Sequence, residues 1–289
     1  MNGIILINKE KKWTSHDIVA KVKNILHTKV GHTGTLDPNA TGVLPLLLGD
    51  ATKVSKYLIE HDKEYIAEIK LGMKTDTADE EGNVIEKENI DVSNYSKEYV
   101  ENTLKKFIGK SYQTPPIYSA IKINGKKLYD YARNNEKVEI PKREIEIYSI
   151  ELIDIEEKEN IIEFWVHCSK GTYIRTLCEN IANELGTIGY MKNLQRIKVG
   201  KFDIKDSITI EQLMNEMNNI KKYIITIENL FQNVDKIILN SSELEKFLNG
   251  VKIINNKKDG IYRIYNEKNK FIGIGVNKDK KIKRDIIIN

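Results

Sequence analysis

The sequence predicts an α/β chain, from two kinds of apolar spacing in different stretches and from the glycines and prolines that separate them. In EYIAEIKLG, residues 64–72, Tyr65, Ala67, Ile69 and Leu71 share one face while Glu64, Glu68 and Lys70 share the other, which is the alternation of a half-buried strand. IIEFWVHC repeats that period with Ile162, Phe164, Val166 and Cys168 on one side and runs into SKGTYIR. Leu177, Ile181 and Leu185 then recur at every fourth residue up to Gly186, a helix that ends at glycine.

From the beginning, GIILIN reads as a short buried strand, and Ser15 reads as the cap of a helix beginning at His16 or Asp17, its hydroxyl accepting an unpaired backbone N–H. GHTGTLDPNATG, residues 31–42, has neither period and is dense in turn formers, so it is a loop. The apolar LPLLLG at 44–49 follows it and holds it close to the core. Residues 113–141 differ again: prolines, tyrosines and lysines with only short apolar runs mark a segment that projects from the sheet. After about residue 230, Ser242 and Glu245 have the spacing of a capping box and Gly250 closes a short helix. IYRIY and FIGIGV, split by NEKNK, complete a compact β-rich appendix.

Composition narrows the function only a little. The 46 Lys and Arg against 42 Asp and Glu leave a net charge of +4, which permits an acidic partner without demanding one. Cys168 and Cys178, the only cysteines, lack zinc-site spacing and read as core thiols, and the five histidines form no ligand constellation. The N-terminal apolar run is too short for an export signal and no later run is long enough to cross a bilayer, so a reducing cytoplasm is the expected location.

Asp37 is the sharpest chemical candidate, because the glycines and proline of GTLDP force one backbone shape and aim its carboxylate. An Asp before Pro also makes ordinary Asx turns, so the residue alone leaves both readings open. Four longer runs bear on the choice: GHTGTLDPNATGVLP at 31–45, KEYIAEIKLGMKTDTAD at 63–79, PPIYSAIKINGKKLYDYAR at 115–133 and HCSKGTYIRTL at 167–177. In these runs the chain resembles the TruB family of transfer-RNA pseudouridine-55 synthases.

The resemblance implies a mixed, mainly antiparallel catalytic sheet with helices over residues 1–229, an RNA-binding insertion at 113–141, and a small PUA-like RNA-binding domain at 230–289. It implies isomerisation of a uridine in the T stem-loop of transfer RNA, with base flipping, no cofactor, no catalytic metal, no membrane and no obligatory protein partner. Asp37 falls at the catalytic aspartate, with Tyr65 and Arg175 as its companions. His32 falls at a histidine that holds the splayed RNA loop, and Leu194 at a late apolar residue beside the pocket.

These roles make physical sense. A carboxylate acts covalently, at C1′ of the ribose or at C6 of the base, and must be ionised to do so. Arg175 supplies a permanent cation that keeps Asp37 charged, which requires the two to meet despite their distance along the chain. Tyr65 stacks on the extruded base or places its hydroxyl near it, although a free phenol with a pKa of about 10 is a poor base. Tyr118, Lys122, Lys126, Lys127 and Arg133 offer cations and a ring to RNA, and Lys9 is counted with them. The run NKEKKWTSHD departs from the family pattern, with Glu10 and Lys12 where Pro and Gly are expected, which bears on that turn. A noncatalytic RNA-remodelling protein and a synthase with a shifted target remain as alternatives.

Overall fold

The computed structural model describes residues 1–119, 121–134 and 136–288. Among these, nine strands form one sheet whose central path runs Gly3–Lys9, Thr41–Leu48, Gly189–Val199, Lys63–Leu71, Ile161–Cys168, Arg143–Glu156 and Gly109–Gln113. Every neighbouring pair is antiparallel except one, where Gln195 and Arg196 pair in parallel with Thr41 and Gly42. That parallel pairing brings the late run MKNLQRI beside the early run DPNATG, which lie far apart in the chain.

Side-chain alternation along the first strand feeds two separate cores. Ile5 and Ile7 of the first strand join Leu44, Leu46, Ala67, Ile69, Phe164 and Val166 under the helices Ser15–Leu26 and Ile174–Glu184. Ile4 and Leu6 point the other way, into a core with Val43, Leu47, Val199, Ile274 and Ile286. The last two belong to a second, five-stranded sheet built from Lys236–Leu239, Gly260–Asn266, Phe271–Lys278, Lys281–Ile287 and Ile253–Ile254. Both faces of the first strand are therefore covered, which accounts for the unbroken apolar run GIILI. The Tyr57 hydroxyl donates to Asp285 at 2.6 Å and the Lys53 ammonium to the Ile287 carbonyl at 3.1 Å, fastening the second sheet to the first unit.

Three local expectations change. Thr14, not Ser15, caps the first helix: its hydroxyl accepts the Asp17 N–H at 3.1 Å while Asp17 accepts the Thr14 N–H at 2.8 Å. Ser15 lies one residue inside and is buried. In the appendix Asn240 and Glu243 form the capping box instead of Ser242 and Glu245, so the helix starts earlier, at Ser241. The loop is also shorter than 31–42, because Val30–His32 pairs with Leu48–Leu46 and Thr41 already belongs to the next strand.

The insertion stays in the sheet through Gln113, which pairs with Arg143, and then leaves it. Lys122–Ile123 and Lys126–Lys127 form a hairpin whose turn residues, Asn124 and Gly125, take φ of 51° and 82°, the left-handed pair such two-residue turns require. A short helix, Leu128–Arg133, follows with Leu128 fully buried. No helix among the described residues is long and apolar enough to cross a membrane.

Candidate active site

Residues 33–40 connect two paired strands, and their backbone is fixed from several directions. The Asp37 carbonyl accepts the Ala40 N–H at 3.1 Å, closing a turn with Pro38 at its second position, where the locked φ of proline fits. The Ser15 hydroxyl accepts the Leu36 N–H at 2.9 Å and donates to the Leu36 carbonyl at 3.3 Å. The Lys9 ammonium donates to the carbonyls of Trp13 at 2.6 Å, Pro38 at 2.8 Å and Glu10 at 3.0 Å. Arg196 donates to the carbonyls of Val43 at 2.9 Å and Gly34 at 3.2 Å.

Lys9 is thus corrected from an RNA contact to an internal fastener: it is 0% exposed and its three donors are all taken by backbone. Burial pulls its pKa down to about 8, against the opposing pull of Asp37. Lys12, where a glycine is expected, takes φ 69° and donates its N–H to the Pro38 carbonyl at 3.0 Å. The turn therefore forms without the glycine, with a backbone cost on the order of 1 kcal/mol.

Asp37 meets Arg175, which stands in the first turn of the Ile174–Glu184 helix. Arg175 Nε lies 3.1 Å from one carboxylate oxygen and Nη2 3.3 Å from the other, a two-pronged grip. The rest of the fork is also occupied: Nη1 reaches Asp79 at 3.4 Å and the Thr77 carbonyl at 3.3 Å, and Nη2 the Tyr118 carbonyl at 2.9 Å. The Arg175 side chain is 6% exposed and that of Asp37 is 34% exposed, so the cation is the buried partner and the carboxylate faces an opening.

Asp79 is a site residue that the sequence reading missed. Thr77 donates to its carboxylate at 2.6 Å and the Glu81 N–H at 3.1 Å, so a turn of TDTAD aims it at Arg175. Burial raises the Asp37 pKa above the ordinary carboxylate range, Arg175 pulls it back, and the negative charge of Asp79 pushes it up again. Asn39, Glu80, Glu81, Met191 and Leu194 line the same opening as Asp37 and Asp79, which places Leu194 beside the carboxylate.

Tyr65 pairs across the sheet with Arg196 on one side and Val166 on the other, which sets its side chain beside that of the buried Arg196. Burial pushes the phenol up to about 12, while Arg196 opposes the shift. His32 stands edge-on to His16 at 5.5 Å between ring centres, with a buried Nδ1 that has no partner, and burial holds its pKa down. Its imidazole is the neutral form at neutral pH, suited to a hydrogen bond and not to charge pairing.

The insertion's cations lie apart from Asp37 and are engaged mostly with one another's neighbours. Lys126 pairs with Glu136 at 2.6 Å, Lys127 donates to the Tyr129 hydroxyl at 2.6 Å, and Arg133 lies over the Tyr129 ring at 5.4 Å. Lys122 is exposed. Tyr118 touches the site through its carbonyl on Arg175.

The matches to known proteins cover the whole of this architecture. Residues 22–174 match the TruB family pseudouridylate synthase N-terminal domain, residues 175–244 the tRNA pseudouridylate synthase B C-terminal domain, and residues 236–283 the pseudouridine synthase II TruB C-terminal region. A tRNA pseudouridine synthase B of Clostridium kluyveri is 46% identical over 98% of each chain. One of Staphylococcus aureus is 40% identical over 100% of this chain and 99% of its own. The fold matches a chain in the structure of an H/ACA RNP bound to a substrate RNA containing 2′-deoxyuridine, with a TM-score of 0.71 at 24% identity, over 99% of this chain and 85% of that one. With identity of this extent over nearly the whole chain, and the family's domains matched from end to end of the fold, the chain belongs to the TruB family of pseudouridylate synthases and is a pseudouridine synthase.

Proposed function

We propose that the enzyme converts the uridine at position 55 of transfer RNA, in the T arm, with Asp37 as the attacking carboxylate. The observation that carries the reading is the paired placement of Asp37: gripped from behind by Arg175 and open on its other side. The relatives named above are transfer-RNA synthases, which supports that substrate class, and the motif runs that carry the family resemblance support the T-arm target.

The chemistry follows from what must change. The N1–C1′ bond breaks, the uracil turns, C5 joins C1′, and the proton lost from C5 is balanced by one gained at N1, so no electron donor or acceptor is consumed. Neither ribose carbon nor base can be reached inside a stacked loop, so the nucleotide is extruded first. Arg175 keeps the attacking group charged in a site that would otherwise neutralise it. Leu194 packs against the extruded base from the rim, Tyr65 supports it from the sheet, and His32, at the start of the Asp37 loop, meets the opened RNA loop.

Nucleotide-resolution mapping of pseudouridine after incubation with unmodified transfer RNA tests the reading. Wild type should modify one uridine of the T loop, and Asp37→Asn should bind the RNA and modify none. Modification only at another position would overturn the target, and modification by a folded Asp37→Asn protein would overturn the mechanism.

A further inference from the structure

Arg196 is a buried cation that the reaction so far leaves unused. It is 1% exposed, yet among the described residues no carboxylate lies within ion-pairing distance of its guanidinium. A lone buried charge is costly, so its retention needs either full hydrogen bonding or a use. Its bonds are specific in direction, Nε to the Val43 carbonyl and Nη2 to the Gly34 carbonyl, and Tyr65 is its neighbour across the strand pair. Gly34 lies near the start of the loop that carries Asp37, and Val43 just past its end. The seat is built for close approach, since a Cβ on Gly42 would lie 2.1 Å from the Arg196 carbonyl oxygen and one on Gly34 3.5 Å from its Nη1.

We propose that Arg196 is a positioning residue for the isomerisation, one guanidinium that ties the Tyr65 hydroxyl to both ends of the Asp37 loop and, by donating to the phenol oxygen, turns the phenol's own proton toward the bound base. The inference rests on the reading of Asp37 and Tyr65 given above. A guanidinium has no lone pair to offer, so a hydroxyl bonded to it accepts and has its own hydrogen left for another partner. The other charged or titratable groups near this pair are Lys9, Lys63 and His32 around Arg196, and Cys168 and Asp37 around Tyr65. Among these only Asp37 is a carboxylate, and Arg175 already holds it.

The test is a double-mutant cycle on the single-turnover rate with saturating transfer RNA, using Arg196→Gln, Arg196→Lys, Tyr65→Phe and the variant that combines Arg196→Gln with Tyr65→Phe. Arg196→Gln should slow turnover by about 30-fold or more with RNA affinity within about threefold, and should add less than about threefold once the Tyr65 hydroxyl is gone. Arg196→Lys, which restores a charged donor, should recover part of the rate. Equal fold losses with and without the Tyr65 hydroxyl, or Gln and Lys variants slowed alike, would reduce Arg196 to a loop support and overturn the proposal.

A second arm needs no turnover. With tyrosine labelled at Cζ, the Tyr65 resonance, assigned by its loss in Tyr65→Phe, should move in Arg196→Gln and move less in Arg196→Lys. An unmoved resonance overturns the proposal even if the enzyme's target proves to be a different uridine. Failure of the wild type to modify the T loop overturns the functional reading and leaves the resonance result to decide Arg196.

Discussion

The loop that carries Asp37 and the insertion at 113–141 are both surface connections rich in turn formers, yet the structure holds them in opposite ways. The loop is anchored by side chains from elsewhere in the chain: Lys9, Ser15 and Arg196 on its backbone and Arg175 on its carboxylate. The insertion engages two of its lysines internally, Lys126 with Glu136 and Lys127 with Tyr129, and its polar ties to the body include Gln113, Thr114 and Tyr118 at its base. Bond-making needs a group fixed to a fraction of an ångström, whereas a surface that meets RNA gains from moving as one piece.

The comparison breaks most sharply at Asp37. Asp37→Asn keeps the shape and one of the two acceptors for Arg175 but removes the proposed nucleophile, so conversion should fall below detection while the melting temperature moves little; retained conversion would show that the loop's rigidity serves something else. Next in size is the pair Arg175 and Asp79. Removing the cation with Arg175→Met should cut the rate by about a hundredfold or more, the loss typical of a catalytic electrostatic contact. It should also move the acid limb of the rate profile to higher pH, because Asp37 loses the group that pulls its pKa down. Asp79→Asn should shift the same limb to lower pH, since it removes a charge that pushes Asp37 up. Profiles that move together in the two variants would dissolve the proposed Arg175–Asp79 balance.

How much of this could be read beforehand depends on whether a residue's partner is local. The strand at 64–72 was legible because Tyr65, Ala67, Ile69 and Leu71 carry their own period, and all four are buried as that period requires. The helix caps were nearly legible: Asp17 stands three residues after Thr14 and Glu243 three after Asn240, spacings that outweigh a serine in the same neighbourhood. Lys9, Asp79 and Arg196 were not. Lys9 looks like any solvated lysine until the Pro38 carbonyl is folded onto it, and Arg196 sits in MKNLQRI beside a leucine that drew the attention. Their partners are backbone oxygens or residues far along the chain, and neither leaves a mark in spacing or composition. Arg175 was found because a motif names it, and its grip on Asp79 through the same fork became visible only with the coordinates.

A smaller effect separates fastening from recognition. Lys9→Met should lower stability by roughly 1–3 kcal/mol, the cost of leaving buried carbonyls without donors, read from urea unfolding. The salt dependence of RNA binding should stay as it was, because the ammonium never faces solvent. A reduced salt slope in Lys9→Met would return this lysine to the RNA surface.

The smallest effect tests the insertion's internal pairing. If Lys126 is held by Glu136, part of its charge is already spent, and Glu136→Gln should release it toward phosphate. Binding to transfer RNA should then tighten by up to about threefold at low salt, with a salt slope steeper by at most about one counterion. Lys122→Ala, which removes an exposed cation, should move both quantities the other way by a similar amount. Since neither residue touches Asp37, the single-turnover rate at saturating RNA should hold in both variants. A rate change without an affinity change would mean that the insertion orients the reacting base as well as the RNA backbone, and the division of labour between the two regions would have to be redrawn.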